Sequence, residues 1–333
     1  MSNYSLFIGS DISKSVIDVS FHYEGLACYL GQFANNENGY SAFVKALSKM
    51  VSIPKNEWFV CFENTGVYSK PILNWLIAKN IACREENALN ISKSLGIRRG
   101  KDDKVDSLDI CQFAYEKRDS IRPTILPEQH ITRLKKLLSR RDFLVRQRQS
   151  LKVSLKEQDG FISAEILEDL QQGNDNLIST YDAEINNLDT KIERLIQSNE
   201  DLSKNDKLAR SVKGIGPVTS AYIIATTHNF TIFDNPKKYA CYCGVAPFPN
   251  SSGTRTGRKK VSHIANKKMK SLLSNCAMTA KNHDPELSKY YKRKIEDGKQ
   301  KGIVINALKN KLINRVFAVI KRGTPYVQLM NYA

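Results

Sequence analysis

The spacing of apolar and polar positions changes along this chain, and each change predicts an element. Leu6-Phe-Ile-Gly-Ser-Asp11 is a short apolar run that closes on a carboxylate. Ser15 to Tyr23 carries Val16, Ile17, Val19, Phe21 and Tyr23 in partial alternation, and Ala27 to Phe33 is a third run of the same kind. Such runs predict strands, and three in succession predict an antiparallel meander. The period then lengthens, with Phe43, Leu47 and Met50 at helical spacing. Glu57-Trp-Phe-Val-Cys-Phe-Glu63-Asn-Thr-Gly66 predicts an apolar strand ending in an acid and a glycine turn. Pro71 to Lys79 predicts a helix with Ile72, Leu73, Leu76 and Ile77 on its apolar face, and Ile81-Ala-Cys-Arg-Glu a short strand. Strands first, then strand alternating with helix, predict an α/β domain with a mixed sheet over residues 1–125.

Pro123 and Pro127 mark a boundary. From there to about residue 204 the pattern is polar and helical. Leu137, Leu144, Leu151 and Leu155 recur at heptad-like steps, as do Ile185, Leu188, Ile192 and Leu195, with Gly160 and Gly173 near the expected turn. This predicts two long helices folded back as a coiled-coil hairpin over residues 126–204. Its first arm is basic (Arg133, Lys135, Lys136, Arg140, Arg141, Arg146, Arg148), as suits a spacer or dimerisation arm with solvated charges, or a nucleic-acid contact.

Residues 205–333 read as mainly helical. Ser211-Val-Lys213-Gly214-Ile-Gly216-Pro-Val has the pattern of a helix-hairpin-helix. There Gly214 and Gly216 would let the backbone approach a phosphate and Lys213 would add charge; an ordinary αα-turn is the alternative. Further on, Ser251-Ser252-Gly253 lies in a glycine-rich stretch just before Arg255, Arg258, Lys259 and Lys260. A serine hydroxyl can attack a phosphodiester where neighbouring cations neutralise the charge on phosphorus. Alone, this stretch reads more simply as a phosphate-contact turn. Lys267-Lys268-Met269-Lys270 opens a helix, Tyr290-Tyr-Lys-Arg-Lys interleaves aromatics with bases, and Ile303 to Ile320 is a last amphipathic helix.

The stretch richest in candidate chemistry is Arg98-Arg99-Gly100-Lys101-Asp102-Asp103-Lys104-Val105-Asp106-Ser107. On a helix Asp103 and Asp106 share one face, and a divalent cation such as Mg²⁺ would relieve their repulsion. Arg98, Arg99 and Lys101 suit a polyanion brought to that metal. Asp11 and Glu63 end apolar strands, where ligand sites form in α/β sheets. Together the four carboxylates would make a cage for one or two metals acting on a phosphodiester.

Charge supports a nucleic-acid partner. The 333-residue chain has a net charge of +17, and from Ser251 onward it carries 19 Lys and Arg against 4 Asp and Glu. Such an excess is the footprint of nucleic-acid binding. An anionic membrane surface is the rival partner, but no amphipathic anchor, signal-peptide pattern or apolar run of spanning length is evident. The seven scattered cysteines, of which only Cys241 and Cys243 are close, read as reduced thiols in a cytoplasmic protein.

In their order and spacing, these stretches resemble the DEDD-type insertion-sequence transposases, whose relatives include the Piv-like DNA invertases. Asp11 in Gly9-Ser-Asp11, Glu63 in Glu63-Asn-Thr-Gly66, and Asp103 and Asp106 in Lys101-Asp-Asp103-Lys-Val-Asp106-Ser match the acidic motifs of that family. Gly244-Val-Ala-Pro247, Ser252-Gly253 and Ser262-His-Ile-Ala265-Asn266 match its C-terminal motif, with Ala265 where the family usually has glycine. The resemblance implies an RNase H/RuvC-like domain, a coiled coil and a C-terminal transposase domain. It implies a bacterial, nucleoid-associated DNA recombinase that holds Mg²⁺ on Asp11, Glu63, Asp103 and Asp106 and uses Ser252 as nucleophile. It further implies guidance by a structured non-coding bridge RNA that pairs with donor and target DNA. Action as a dimer or tetramer, with serine and acid domains meeting, is implied too. A site-specific invertase of the same family, a RuvC-like nuclease using water, and a non-catalytic binding protein are the alternatives.

Overall fold

The computed structural model describes residues 4–94, 102–158, 160–252 and 255–327, without the side chains of Leu155, 251–252, 255–256 and 258–260. The chain divides into two compact units, Met1–Leu126 and Pro127–Ala333. The first is built on a five-stranded mixed sheet. β1 (Leu6–Ile12), β2 (Val16–Tyr23) and β3 (Leu26–Ala34) form the antiparallel meander. β4 (Trp58–Glu63) pairs parallel to β1 and β5 (Ala82–Glu86) parallel to β4, giving the order β3-β2-β1-β4-β5. Helices α1 (Glu37–Met50), α2 (Lys70–Ala78), α3 (Ala88–Ser94) and α4 (Asp103–Glu116) complete the unit.

The sheet is covered on both faces, so its central strands read as continuous apolar runs. Leu6, Ile8, Trp58, Val60 and Phe62 pack with Tyr40, Phe43 and Leu47 of α1 and Ile72, Leu73 and Leu76 of α2. The alternate positions, Phe7, Phe59 and Cys61, pack with Ile110, Phe113 and Ala114 of α4. Pleating thus sends one strand's side chains to two separate cores.

In the second unit, α5 (Gln129–Gln158) and α6 (Ala164–Gln197) run antiparallel. Leu144, Ile185 and Leu188 pack between them, and Arg141–Asp189 and Arg148–Asp182 ion pairs tie them in register. Gly173, expected near the turn, lies inside α6, and the turn falls around Gly160, whose φ is +81°. The lower ends of both helices enter the main core: Ile131, Leu134, Leu138, Ile192 and Ile196 pack among residues from the helices that follow. Those are α7 (Glu200–Arg210), α8 (Pro217–Thr227), α9 (Pro236–Tyr242), α10 (Lys267–His283), α11 (Pro285–Glu296) and α12 (Lys301–Arg322).

The glycine-rich serine stretch differs from expectation. It is an antiparallel hairpin, β6 (Pro247–Ser252) and β7 (Arg255–Val261), with a register shift between Phe248 and Asn250. Pro249 falls at that irregularity, one of the few places where a strand tolerates proline. Among the described residues no helix is long and apolar enough to cross a membrane.

Candidate functional site

The acidic site of the first unit depends on how closely α4 approaches β1. A Cβ added at Gly9 would stand 2.2 Å from the Cys111 backbone nitrogen and 2.4 Å from the Ser107 carbonyl oxygen. Only glycine lets the helix lie directly on the strand. The Cys111 thiol donates to the Phe7 carbonyl at 3.3 Å, and the Ser20 and Ser107 hydroxyls meet at 2.6 Å. These contacts fix the start of α4 against the C-terminal part of β1, where Asp11 projects.

Asp102 is the N-cap of α4, and its carboxylate accepts from the Lys104 backbone N–H at 3.0 Å. Asp103 and Asp106 follow in the first turn. Asp11, Asp103 and Asp106 each offer one carboxylate oxygen, and these three oxygens lie within 4.8 Å of one another. Asp11 is half-buried, and its pKa is raised to about 6. Burial is the chief cause, then the charges of Asp103 and Asp106, with the Ile12 backbone N–H opposing and Glu63 the weakest contributor. Among the described residues no salt bridge offsets any of the three. The helix dipole favours Asp103 and Asp106 in a first turn, but it does not explain Asp11 beside them.

This donor set fits a hard divalent cation. Mg²⁺ binds oxygens at about 2.0–2.1 Å, so oxygens on opposite sides of it are about 4 Å apart, close to the spread seen here. Glu63 ends β4, the parallel neighbour of β1. Its charge reaches Asp11, but its carboxylate is not among the three that meet.

Asp18, which the sequence reading passed over, stands directly opposite Asp11 on β2. Its two oxygens accept from the Tyr29 hydroxyl at 2.6 Å and the Gln32 amide at 3.0 Å, so it is already satisfied. Gly9 enters the sequence reading only as part of the Gly9-Ser-Asp11 motif. Its signal was a glycine inside an apolar strand, which marks a close backbone approach.

The basic candidates have varied surroundings. Arg98, Arg99 and Lys101 lie outside the described residues. Ser252 ends β6 and pairs with Arg255, and Ser251 with Thr256. Arg258, Lys259 and Lys260 lie along β7; the side chains of these serines and bases are outside the described set. The base of the hairpin is built by the neighbouring motif residues. Gly244, at φ +65°, is packed on Ala265, whose Cβ a Gly244 side chain would meet at 2.6 Å. Asn266 caps α10 by accepting from Met269 N at 2.9 Å, and donates to the Tyr242 hydroxyl at 2.8 Å.

Gly214 has φ +96°, and a Cβ there would meet the Cys276 carbonyl at 2.7 Å. Its glycine is therefore needed to pack the turn on α10. Gly216, by contrast, opens α8 with space around it, and Lys213 beside it is exposed. Lys267 is exposed. Lys268 is engaged within the fold, 2.6 Å from Asp142 and over the Tyr222 ring.

Residues 8–158 match the IS110-type DEDD transposase family, and residues 206–292 match the family described as Transposase IS116/IS110/IS902. The chain is 27% identical to the pilin gene-inverting protein of Moraxella bovis over 331 residues, 96% of this chain and 97% of that protein. It is 30% identical over 120 residues to an uncharacterized 43.6 kDa protein of insertion element IS110 from Streptomyces coelicolor, 36% of this chain and 30% of that one. Two matched segments in the same order, one spanning the strand and helix that bring Asp11, Asp103 and Asp106 together, place this chain in the IS110-type DEDD transposase family and make it a DNA recombinase.

Proposed function

We propose that this transposase cuts and rejoins DNA strands with Ser252 as nucleophile and with Mg²⁺ held by Asp11, Asp103 and Asp106, Glu63 completing the set. The observation that carries the metal part is the meeting of three carboxylates that no salt bridge offsets among the described residues. Mg²⁺ bound there would supply a Lewis acid to phosphate oxygens. The Ser252 hydroxyl gives up its proton as its oxygen bonds to phosphorus, and the displaced strand oxygen takes up a proton and leaves as a hydroxyl. A strand hydroxyl attacking the phosphoserine then reverses the exchange, so the bond energy is kept. The basic residues beside Ser252 suit the charge that develops on phosphorus.

In the same reading, Gly216 and the open start of α8, with Lys213, serve as a helix-hairpin-helix phosphate contact. The antiparallel α5–α6 pair acts as a coiled-coil arm in a dimer or tetramer. A structured bridge RNA pairs with donor and target DNA, and the protein works in the cytoplasm at the nucleoid. Purification with and without ribonuclease tests the RNA part; no co-purifying RNA of defined size would remove it.

The deciding experiment is to trap the covalent adduct. The protein is expressed beside its flanking DNA and digested, and mass spectrometry looks for a nucleotide on a serine. A nucleotide on Ser252, lost in Ser252→Ala, supports the reading. Mg²⁺-dependent cuts with no serine adduct would replace it with a nuclease that uses water. Similarity to the pilin gene-inverting protein over 96% of the chain favours one second reading, site-specific inversion. Recovery of inverted rather than inserted segments would select it.

A further inference from the structure

The second unit contains a cleft of about 1060 Å³ between the base of the β6–β7 hairpin and one face of α12. Pro247 and Val261, which pair at the hairpin base, line one side. Gly302, Asn306, Lys309 and Asn310 line the other, with Lys270 of α10 between. Among the described residues no Asp or Glu lines it.

Lys309 is only 8% exposed, yet it is on the wall of this cleft. Among the described residues, neither its ammonium nor that of Lys270 has a hydrogen-bond or ion-pair partner. Burial, and then the Lys270 charge, holds Lys309 below the usual lysine range. Three lysines, Lys270, Lys299 and Lys309, share a mostly apolar cleft, and among the described residues no carboxylate lines it. The Lys309 nitrogen is not among the fully buried side-chain atoms that lack a partner, so Lys309 buries its stem and brings its ammonium to the cleft.

The start of α12 opens on the same cleft. Gln300 is its N-cap and makes no side-chain capping bond, and Gln300, Gly302 and Ile303 all line the wall. A 22-residue helix presents partial positive charge and free N–H groups at that end. The three lysines and the helix start thus bring positive potential together where, among the described residues, no carboxylate lines the cleft.

We infer that Lys309, Lys270 and the start of α12 form a binding site for a backbone phosphodiester of a polynucleotide strand. The site goes beyond the proposed chemistry and does not depend on the identity of the nucleophile. Ser252 lies five residues along β6 from Pro247, about 17 Å at 3.4 Å per residue. That is about five phosphate steps of one strand. The cleft would therefore anchor a strand on the near side of the hairpin.

The test is binding by the full chain to a labelled 30-base-pair DNA duplex and to a labelled RNA hairpin, measured by anisotropy from low to physiological salt. Lys309→Met keeps the aliphatic stem and removes the charge. Gly302→Glu puts a carboxylate at the start of α12, where a side chain meets open space. A carboxylate there suits the helix dipole, so this variant stays folded if Lys309→Met does not. Each released phosphate contact lowers the salt slope by about 0.9 on duplex DNA. We expect Lys309→Met with Lys270→Met, and separately Gly302→Glu, to lose about one such step and several-fold affinity. Loss on DNA alone or RNA alone assigns the strand. An unchanged salt slope with both polynucleotides, in variants whose melting temperature is retained, would overturn the site. Because no cleavage is read, this outcome is independent of whether Ser252 forms an adduct.

Discussion

The carboxylate of Asp102 accepts a hydrogen bond from the Lys104 backbone N–H at 3.0 Å, which makes it the cap of α4, one residue before Asp103. The two neighbouring aspartates therefore have different work. Asparagine caps helices as well as aspartate does, whereas alanine costs about 0.5–2 kcal/mol. Asp102→Asn should leave both stability and Mg²⁺ affinity nearly unchanged, while Asp103→Asn should abolish strand cleavage and weaken Mg²⁺ binding at least tenfold. Calorimetric titration with Mg²⁺ on both variants checks this. Equal loss in the two would mean that Asp102 is itself a ligand.

The raised pKa of Asp11 sets a pH dependence. Its folded value is about 6 against about 3.9 unfolded, so the folded state holds a proton that the unfolded state has released. The stabilisation is full below about pH 4 and is lost as pH rises through about 6. In chelator, melting temperature should fall across that window, and Asp11→Asn should flatten the fall. Added Mg²⁺ should raise the melting temperature of the parent at pH 7.5 but not that of Asp11→Asn. A parent curve without slope between pH 4 and 6 would contradict the electrostatic account.

Gly9→Ala leaves every carboxylate in place but drives a methyl into the backbone of α4. Overpacking of this kind costs about 1–3 kcal/mol. Because the helix must move away from β1, Mg²⁺ affinity should fall along with stability. A folded variant with parental affinity would show that the approach at Gly9 does not set the site.

Asp284 is 1% exposed, caps α11 through Leu287 N and is paired with Arg315 at 2.7 Å. Arg315 also reaches Glu286 at 2.6 Å and lies over the Tyr326 ring. Arg315→Met should cost about 3–5 kcal/mol by leaving a buried carboxylate unpaired. The double variant Arg315→Met with Asp284→Asn should recover part of this loss, as denaturant unfolding would reveal.

Elements whose two faces bury against different partners were legible in the sequence. β1 and β4 are apolar throughout because α1 and α2 cover one side and α4 the other. Asp103 and Asp106 were legible because their spacing fixes one helix face. The meeting with Asp11 follows from Gly9, whose meaning is a distance to a helix about a hundred residues away. α3 was missed because it buries only Ile91 and so leaves almost no periodic signal. The strand character of Pro247–Ser252 was hidden by two prolines, one at its start and one at the register shift. Lys309 falls in the stretch that reads only as a last amphipathic helix. Its position in step with Ile305, Leu312 and Val316 on the apolar face was the available clue.

The approach of α4 to β1 also has a consequence in time. Asp11 is made early and Asp106 some 95 residues later. At about 5–20 residues per second of synthesis, on the order of 5–20 s separate them. The meander can pair as it emerges, but the carboxylate trio cannot close until α4 has been translated and docked. A nascent or prematurely ended chain that stops before α4 therefore lacks the closed carboxylate trio, and it also lacks the basic residues that follow Ser251. The order of residues along the chain therefore sets when the acidic site can first form.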